Sequence, residues 1–246
     1  MATWVPDTDC CHWYAVDCEP ETNRINDLHL VSANLSGQIP EEIADLPYLE
    51  TLIFHKITNL NGNIPISIPT QKLIVSRLIL QQFFRFDPFI TLPTLKPQWS
   101  SFRGAIPRGW GDLNFTLIKL QRNKLEGDIS SLLGKNKTII YLDLNRNMLQ
   151  SDISEVEFPY SLTFFEVNHN RIIGSLPEGL TQLGLDGLNV SYDGLCGPIP
   201  KGGRLQDLEY TSYFHNRCLC GAPLPDDCKR FPLLGGRIFD PIFFFN

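Results

Sequence analysis

A segment close to Gly-x-Ile-Pro returns along this chain at nearly constant spacing, and that recurrence limits the possible fold more than any other feature. It appears as SGQIP at Gly37, NGNIP at Gly62, RGAIP at Gly104, EGDIS at Gly127, SDIS at Ser151, GSLP at Gly174 and GPIP at Gly197. Successive anchors are separated by steps of 25, 42, 23, 24, 23 and 23. Ahead of the later anchors lie LIKLQRNKLEG, LDLNRNMLQS, FFEVNHNRIIG and LNVSYDGLCG, where apolar residues alternate and an Asn or Asp follows at a fixed distance. Alternation of the kind seen at Leu142 and Leu144 makes a short strand with one buried face. A unit this small cannot bury that face alone, so its neighbours must supply the core.

Five of the six steps fall within the period of leucine-rich repeats, roughly 20–29 residues. The expected fold is therefore an α/β-type leucine-rich-repeat solenoid. It would be a curved right-handed array with short parallel strands on its concave face, 3-10 or irregular segments on the convex side, and disulfide-stapled caps. An all-β sandwich would not hold so regular a registry. Asn123, Asn147 and Asn170 share one position, and Asp193 takes it in the fourth unit. A side chain there can satisfy main-chain groups at the turn out of each strand, as a ladder along the stack. The long step of 42 breaks the pattern. QKLIVSRLIL, Gln71 to Leu80, still reads as half a repeat, whereas the stretch from 81 to about 101 fits no register. Either a repeat has been deleted and its place filled, or the reading frame is disturbed there. The expected organisation is an N-terminal cysteine cap over 1–24 and repeats over 25–195, with 66–103 degenerate. A C-terminal cysteine cap follows over 196–228, then an atypical tail over 229–246 whose Phe243, Phe244 and Phe245 would form a sticky patch.

With 246 residues, 43% of them hydrophobic, the chain can fill a continuous core. Its net charge of −6 argues against a general nucleic-acid binder. The seven cysteines sit at the two ends, Cys10, Cys11 and Cys18, then Cys196, Cys218, Cys220 and Cys228. That placement reads as stapled caps on a self-supporting middle. Zinc is the rival reading, but the paired spacing of a structural site is missing. Four Asn-x-Ser/Thr sequons, at Asn34, Asn114, Asn136 and Asn189, fit an oxidising, secreted setting. The opening MATWVPDTDCC has neither a charged n-region nor an apolar h-region, so a signal peptide is expected to have been removed or the N-terminus to be incomplete. No apolar run approaches the ~20 residues of a membrane span.

By registry, the strand residues that point away from the core are His29, Val31 and Ser32; Ile53, His55 and Lys56; Lys119, Gln121 and Arg122; Asp143, Asn145 and Arg146; Glu166, Asn168 and His169; Asn189, Ser191 and Tyr192. Four Lys or Arg against two acids make this face mildly basic although the whole chain is acidic. A stripe of that kind suits an acidic protein surface or a polyanionic chain. Taken singly, each position reads most plainly as a solvated strand residue; taken as a group they read as a binding face. Arg122, Arg146 and Tyr192 stand out, because Arg and Tyr dominate interface hot spots. The sequon at Asn189 falls on this face, so Asn34, Asn114 and Asn136 are the better glycan acceptors. Catalysis finds little footing. The five histidines are scattered over separate units, and no nucleophile elbow, zinc helix or phosphate loop occurs. Asp143 and Glu166 belong to adjacent strands, but nothing in the sequence would shift the pKa of either. No enzyme activity, cofactor or metal is expected.

WVPDTDCCHWYAVDC, DLPYLETLIFHK, LNVSYDGLCGPIPKGGRLQ and YFHNRCLCGAPLP closely resemble plant polygalacturonase-inhibiting proteins. These are extracellular leucine-rich-repeat proteins that bind and block fungal endopolygalacturonases. The resemblance covers about residues 3–65 and 104–228. It implies pairing of Cys11 with Cys18, Cys196 with Cys218 and Cys220 with Cys228, leaving Cys10 without its upstream partner. It also implies a secreted protein of the plant cell wall, expected as a monomer, with a fungal endopolygalacturonase as partner; the basic stripe adds pectin as a second one. The family has more repeats than this chain, so central ones are missing where the enzyme mostly docks on the concave face. The same subfamily contains a cold-induced antifreeze protein, which makes ice binding the alternative function. A receptor-like ectodomain is the third.

Overall fold

The computed structural model describes residues 3–55, 57, 59–65, 77–81 and 102–228. Eight strands form one sheet in chain order: Val16–Glu19, Arg24–Val31, Thr51–His55, Arg77–Gln81, Leu117–Lys119, Tyr141–Asp143, Phe164–Glu166 and Gly187–Asn189. The first two pair antiparallel and close the N-terminal cap. Every later pair is parallel, as stacked copies of one strand-and-return unit must be. Alternation decides what each strand buries. Leu28, Leu52, Ile118, Leu142, Phe165 and Leu188 lie in register in one inward row. Leu30, Phe54, Leu80, Leu120, Leu144, Val167 and Val190 form the next, and none of these side chains is more than 6% exposed. Leucine-rich-repeat architecture follows from that stacking: one unit's apolar edge is the next unit's floor.

The Gly-x-Ile-Pro segment makes the return. Short strands Gly62–Asn63, Phe102–Ala105, Lys124–Gly127 and Met148–Leu149 pair in parallel as a second ladder. Ile173–Gly174, Gly194–Pro198 and Cys218–Cys220 form a third. Between the two ladders, the Arg171 N–H donates to the Leu149 carbonyl and an isolated bridge joins Asp152 to Ile173. That junction falls where the anchor is Ser151 in place of glycine. Gly127 and Gly174 take φ of +84° and +93°, which a residue with a Cβ enters only under strain. Ser151 stays out of that region, and its hydroxyl donates to the Asp128 carboxylate instead. The proline has a role of its own. Pro40, Pro107 and Pro177, with φ of −72°, −59° and −70°, stand directly before the 3-10 turns Glu41–Asp45, Arg108–Asp112 and Glu178–Gln182. The pyrrolidine ring fixes φ within the range those turns need, which sets the chain on course into them.

The long step between Gly62 and Gly104 contains both halves of one repeat. Arg77–Gln81 sits in the large sheet between Thr51–His55 and Leu117–Lys119, and Phe102–Ala105 sits in the second ladder. Asn123 ties them together: its Nδ2 donates to the Leu80 carbonyl at 2.8 Å, and its Oδ1 accepts from the Phe102 N–H at 3.0 Å. In the following unit only 120–123 separate the two strands; here 82–101 intervene. The extra length thus falls within one unit, between its strand and its return segment. Residues 82–101 and the tail from 229 lie outside the described residues.

Disulfides join Cys11 to Cys18, Cys196 to Cys218 and Cys220 to Cys228, and Cys10 carries a free thiol. The sulfurs of Cys10, Cys11 and Cys18 lie within 4.8 Å of one another, a bonded pair with a thiol beside it. Among the described residues no helix is long and apolar enough to cross a membrane.

Candidate functional site

The outward side of the large sheet is ruled into rows by register. His29, Ile53, Ile79, Lys119, Asp143, Glu166 and Asn189 are cross-strand neighbours in one row. Two residues further on, Val31 and His55 are paired, and Gln121, Asn145, Asn168 and Ser191 continue their line. One residue beyond, the backbone changes hand. Ser32, Arg122, Arg146, His169, Tyr192 and His215 all have positive φ, between 52° and 60°. Each of the first five donates its main-chain N–H to the unit ahead: Ser32 to His55, Arg122 to Asn145, Arg146 to Asn168, His169 to Ser191 and Tyr192 to Phe214. The ladder therefore runs on past the strands, and the left-handed residues stand at its edge. Lys56 lies outside the described residues.

Side chains in that last row stack. The rings of His169 and Tyr192 are 4.2 Å apart, those of Tyr192 and His215 4.5 Å, both near parallel. Phe214 meets Tyr192 edge-on at 5.1 Å. His169 titrates below its ordinary range, because burial and then the charges of Arg146 and Arg122 disfavour its cation. At the opposite edge of the face Tyr141 stacks on Phe164 at 5.0 Å, and Lys119 Nζ lies 4.3 Å over the Tyr141 ring. Burial, with the nearby Glu166 and Asp143, lifts the Tyr141 hydroxyl to about 12.

Four of the sequence-predicted face residues are buried in the sheet surface: Gln121, Asp143, Asn168 and Ser191. Asp143 shows the consequence, and it corrects the expectation of unshifted carboxyls. Burial raises its pKa to about 7; the hydrogen bond from Asn145 opposes, Glu166 adds to the rise, and Lys119 and Arg122 offset it. Its Oδ1 accepts from the Asn145 N–H at 3.2 Å and Nδ2 at 2.7 Å. His55 and His169 share the face but stand four strands apart, roughly 19 Å at the usual strand spacing.

Asn189 is committed locally. Its Oδ1 accepts from the Ser191 N–H at 3.1 Å and the Ser191 hydroxyl at 2.7 Å. Asn34, Asn114 and Asn136 are exposed and lie off the large sheet. Two features escaped the sequence reading. His215 extends the left-handed row into the C-terminal cap, and Asn216 extends the asparagine ladder, accepting from the Leu195 N–H at 3.1 Å and donating to Val190 and Tyr213 carbonyls at 2.8 Å. The signal was present, since His215 and Asn216 follow Tyr192 and Asp193 at the same step that separates the last anchors.

No protein-family profile matches the chain. It is similar to a polygalacturonase inhibitor of Pyrus communis, 42% identical over 284 residues, covering 93% of this chain and 86% of that one. That aligned length exceeds the 246 residues of this chain by 38, so well over one repeat of the relative has no counterpart here. Among solved structures it is similar to a plant ice-binding protein, with TM-score 0.55, 34% identity and coverage of 93% and 92% of the two chains. It is also similar to the leucine-rich-repeat ectodomain of the Arabidopsis thaliana receptor kinase GASSHO1/SCHENGEN3, with TM-score 0.62, 25% identity and coverage of 82% of this chain and 22% of that one.

Proposed function

Because the chain belongs to the polygalacturonase-inhibitor family of plant leucine-rich-repeat proteins, we propose that it binds a fungal endopolygalacturonase through the outward face of its large sheet. It blocks that enzyme by covering its surface, with no chemistry of its own. The observation that carries this reading is the left-handed row. Arg122, Arg146, His169 and Tyr192 each hold a conformation with φ of 55° to 60° that costs a residue with a Cβ on the order of 1 kcal/mol or more. A chain selected for stability alone would place glycine there. Large, donor-rich side chains in its stead make sense as displayed groups. With Lys119 they offer cations to an acidic patch on the enzyme, and the same cations would accept the carboxylates of pectin.

The setting that goes with this function is the cell wall, with the protein secreted as a monomer and glycans at Asn34, Asn114 and Asn136. Asn189 is the poorer acceptor, because a glycan on its Nδ2 would stand on the binding face itself. The experiment is a binding titration against fungal endopolygalacturonases with a reducing-sugar assay alongside. Arg122→Ala combined with Arg146→Ala weakens binding by at least about tenfold, the order expected for two hot-spot arginines. Unchanged affinity would place the interface elsewhere. The similarity to an ice-binding protein supports a second reading, ice binding by the same array. Thermal hysteresis from a chain that binds no endopolygalacturonase is the outcome that favours it.

A further inference from the structure

The asparagine ladder has one rung of the wrong chemistry. Asn123, Asn147, Asn170 and Asn216 repeat one pattern: Oδ1 accepts a main-chain N–H of the preceding unit, and Nδ2 donates to two carbonyls at once. Because rungs overlap, the carbonyl of Leu120 receives both Asn123 and Asn147, and that of Leu144 both Asn147 and Asn170. Asp193 stands between Asn170 and Asn216 and keeps half of the pattern. Its Oδ1 accepts from the Ile172 N–H at 2.8 Å. Its Oδ2, where the amide nitrogen would be, is buried and has no partner among the described residues. Of the ladder side chains, the carbonyls that an asparagine at 193 would reach, Val167 and Val190, accordingly receive only Asn170 and only Asn216.

An ionised carboxylate cannot donate, and two lone-pair oxygens turned toward a carbonyl-lined turn without water repel it. A carboxylic acid can donate. We propose that Asp193 is a protonated rung, donating its O–H to the Val167 or Val190 carbonyl, and that this proton makes the turn displaying Tyr192 sensitive to pH. No covalent step is involved; one proton moves between solvent and Oδ2. Burial raises the Asp193 pKa to about 8, opposed by the N–H groups of Ile172 and Asn170. The turns packed on either side carry His169 and Arg171 before it and His215 and Arg217 after it, with Tyr192 alongside. His169 is half-buried, the other four are exposed, and none of them figures among the causes of the shift.

The sign follows from linkage. A carboxyl whose folded pKa is raised contributes stability fully present below its unfolded value near 4, and lost as pH rises to about 8. The test is thermal unfolding of the full chain and of Asp193→Asn, whose amide completes the rung at every pH. The two melt alike at about pH 4, and the variant melts at least about 3 °C higher at about pH 8.5. Curves that stay parallel across that range overturn the proposal. Infrared spectra of the parent minus Asp193→Asn at about pH 6 supply an independent readout, because the band of Asp143, which is also protonated there and present in both, cancels: a protonated-carboxyl stretch remaining in the difference supports it. No such band overturns it. Asp193→Ala, which also strips the acceptor from Ile172, melts below the parent at about pH 4; equality there would mean that the rung carries no load.

Discussion

At the level of single residues, the left-handed row separates what holds the fold from what is displayed on it. Arg122 has φ of 60°, and its main-chain N–H already serves the ladder through Asn145. Its side chain is not needed for either. Arg122→Gly is therefore expected to keep stability or raise it by up to about 1 kcal/mol, since relief of left-handed strain outweighs the entropy of glycine. Binding to the endopolygalacturonase should weaken in the same variant. Chemical denaturation together with a binding titration checks both, and a stability loss above about 1 kcal/mol would mean that the side chain supports the fold. Asp143 teaches a different lesson. Its position on the outward face could be counted from the registry, but its pKa of about 7 could not. Burial of that carboxyl depends on how far the side chains of adjacent strands lean over it. As pH falls through about 7, Asp143 takes up a proton and the face turns more basic.

The element that repeats is a strand, a turn and a return segment, and asparagine is the part that locks the turn. Asn147 bonds the Leu125 N–H at 3.0 Å and the carbonyls of Leu120 and Leu144 at 3.0 and 2.9 Å. Asn147→Ala leaves three main-chain groups in two units without that partner. A loss of about 3 kcal/mol is expected in urea unfolding, one unit of net hydrogen-bond energy for each. A loss under about 1 kcal/mol would show that water replaces the rung. Spacing alone exposed Asn123, Asn147 and Asn170, because the turn recurs with the period of the anchors. The interrupted unit was harder. Its first strand was legible in QKLIVSRLIL and its return segment in RGAIP, while the intervening stretch 82–101 hid that the two belong to one unit. A periodic pattern cannot announce a connection whose loop has left the period.

Across the whole molecule, stability is a chain of nearest-neighbour contacts, so the ends are its weak points. The Cys196–Cys218 disulfide joins the last repeat to the cap across 22 residues. Replacing both cysteines with alanine should cost about 3 kcal/mol, the loop entropy restored to the unfolded chain. Non-reducing peptide mapping and a denaturation curve test it; an unchanged midpoint would assign the cap's stability to packing of buried Leu205, Tyr213 and Leu219. The period, the inward rows, the asparagine turns, the cap cysteines and the kinship with polygalacturonase inhibitors are all legible in the unfolded string of residues. All of these rest on local chemistry repeated at fixed intervals. Only the folded array shows which outward residues are buried, which rings stack, and that the second oxygen of the Asp193 rung is buried without a partner among the described residues. Those properties belong to contacts between units, and their geometry depends on stagger and side-chain reach that no single repeat contains.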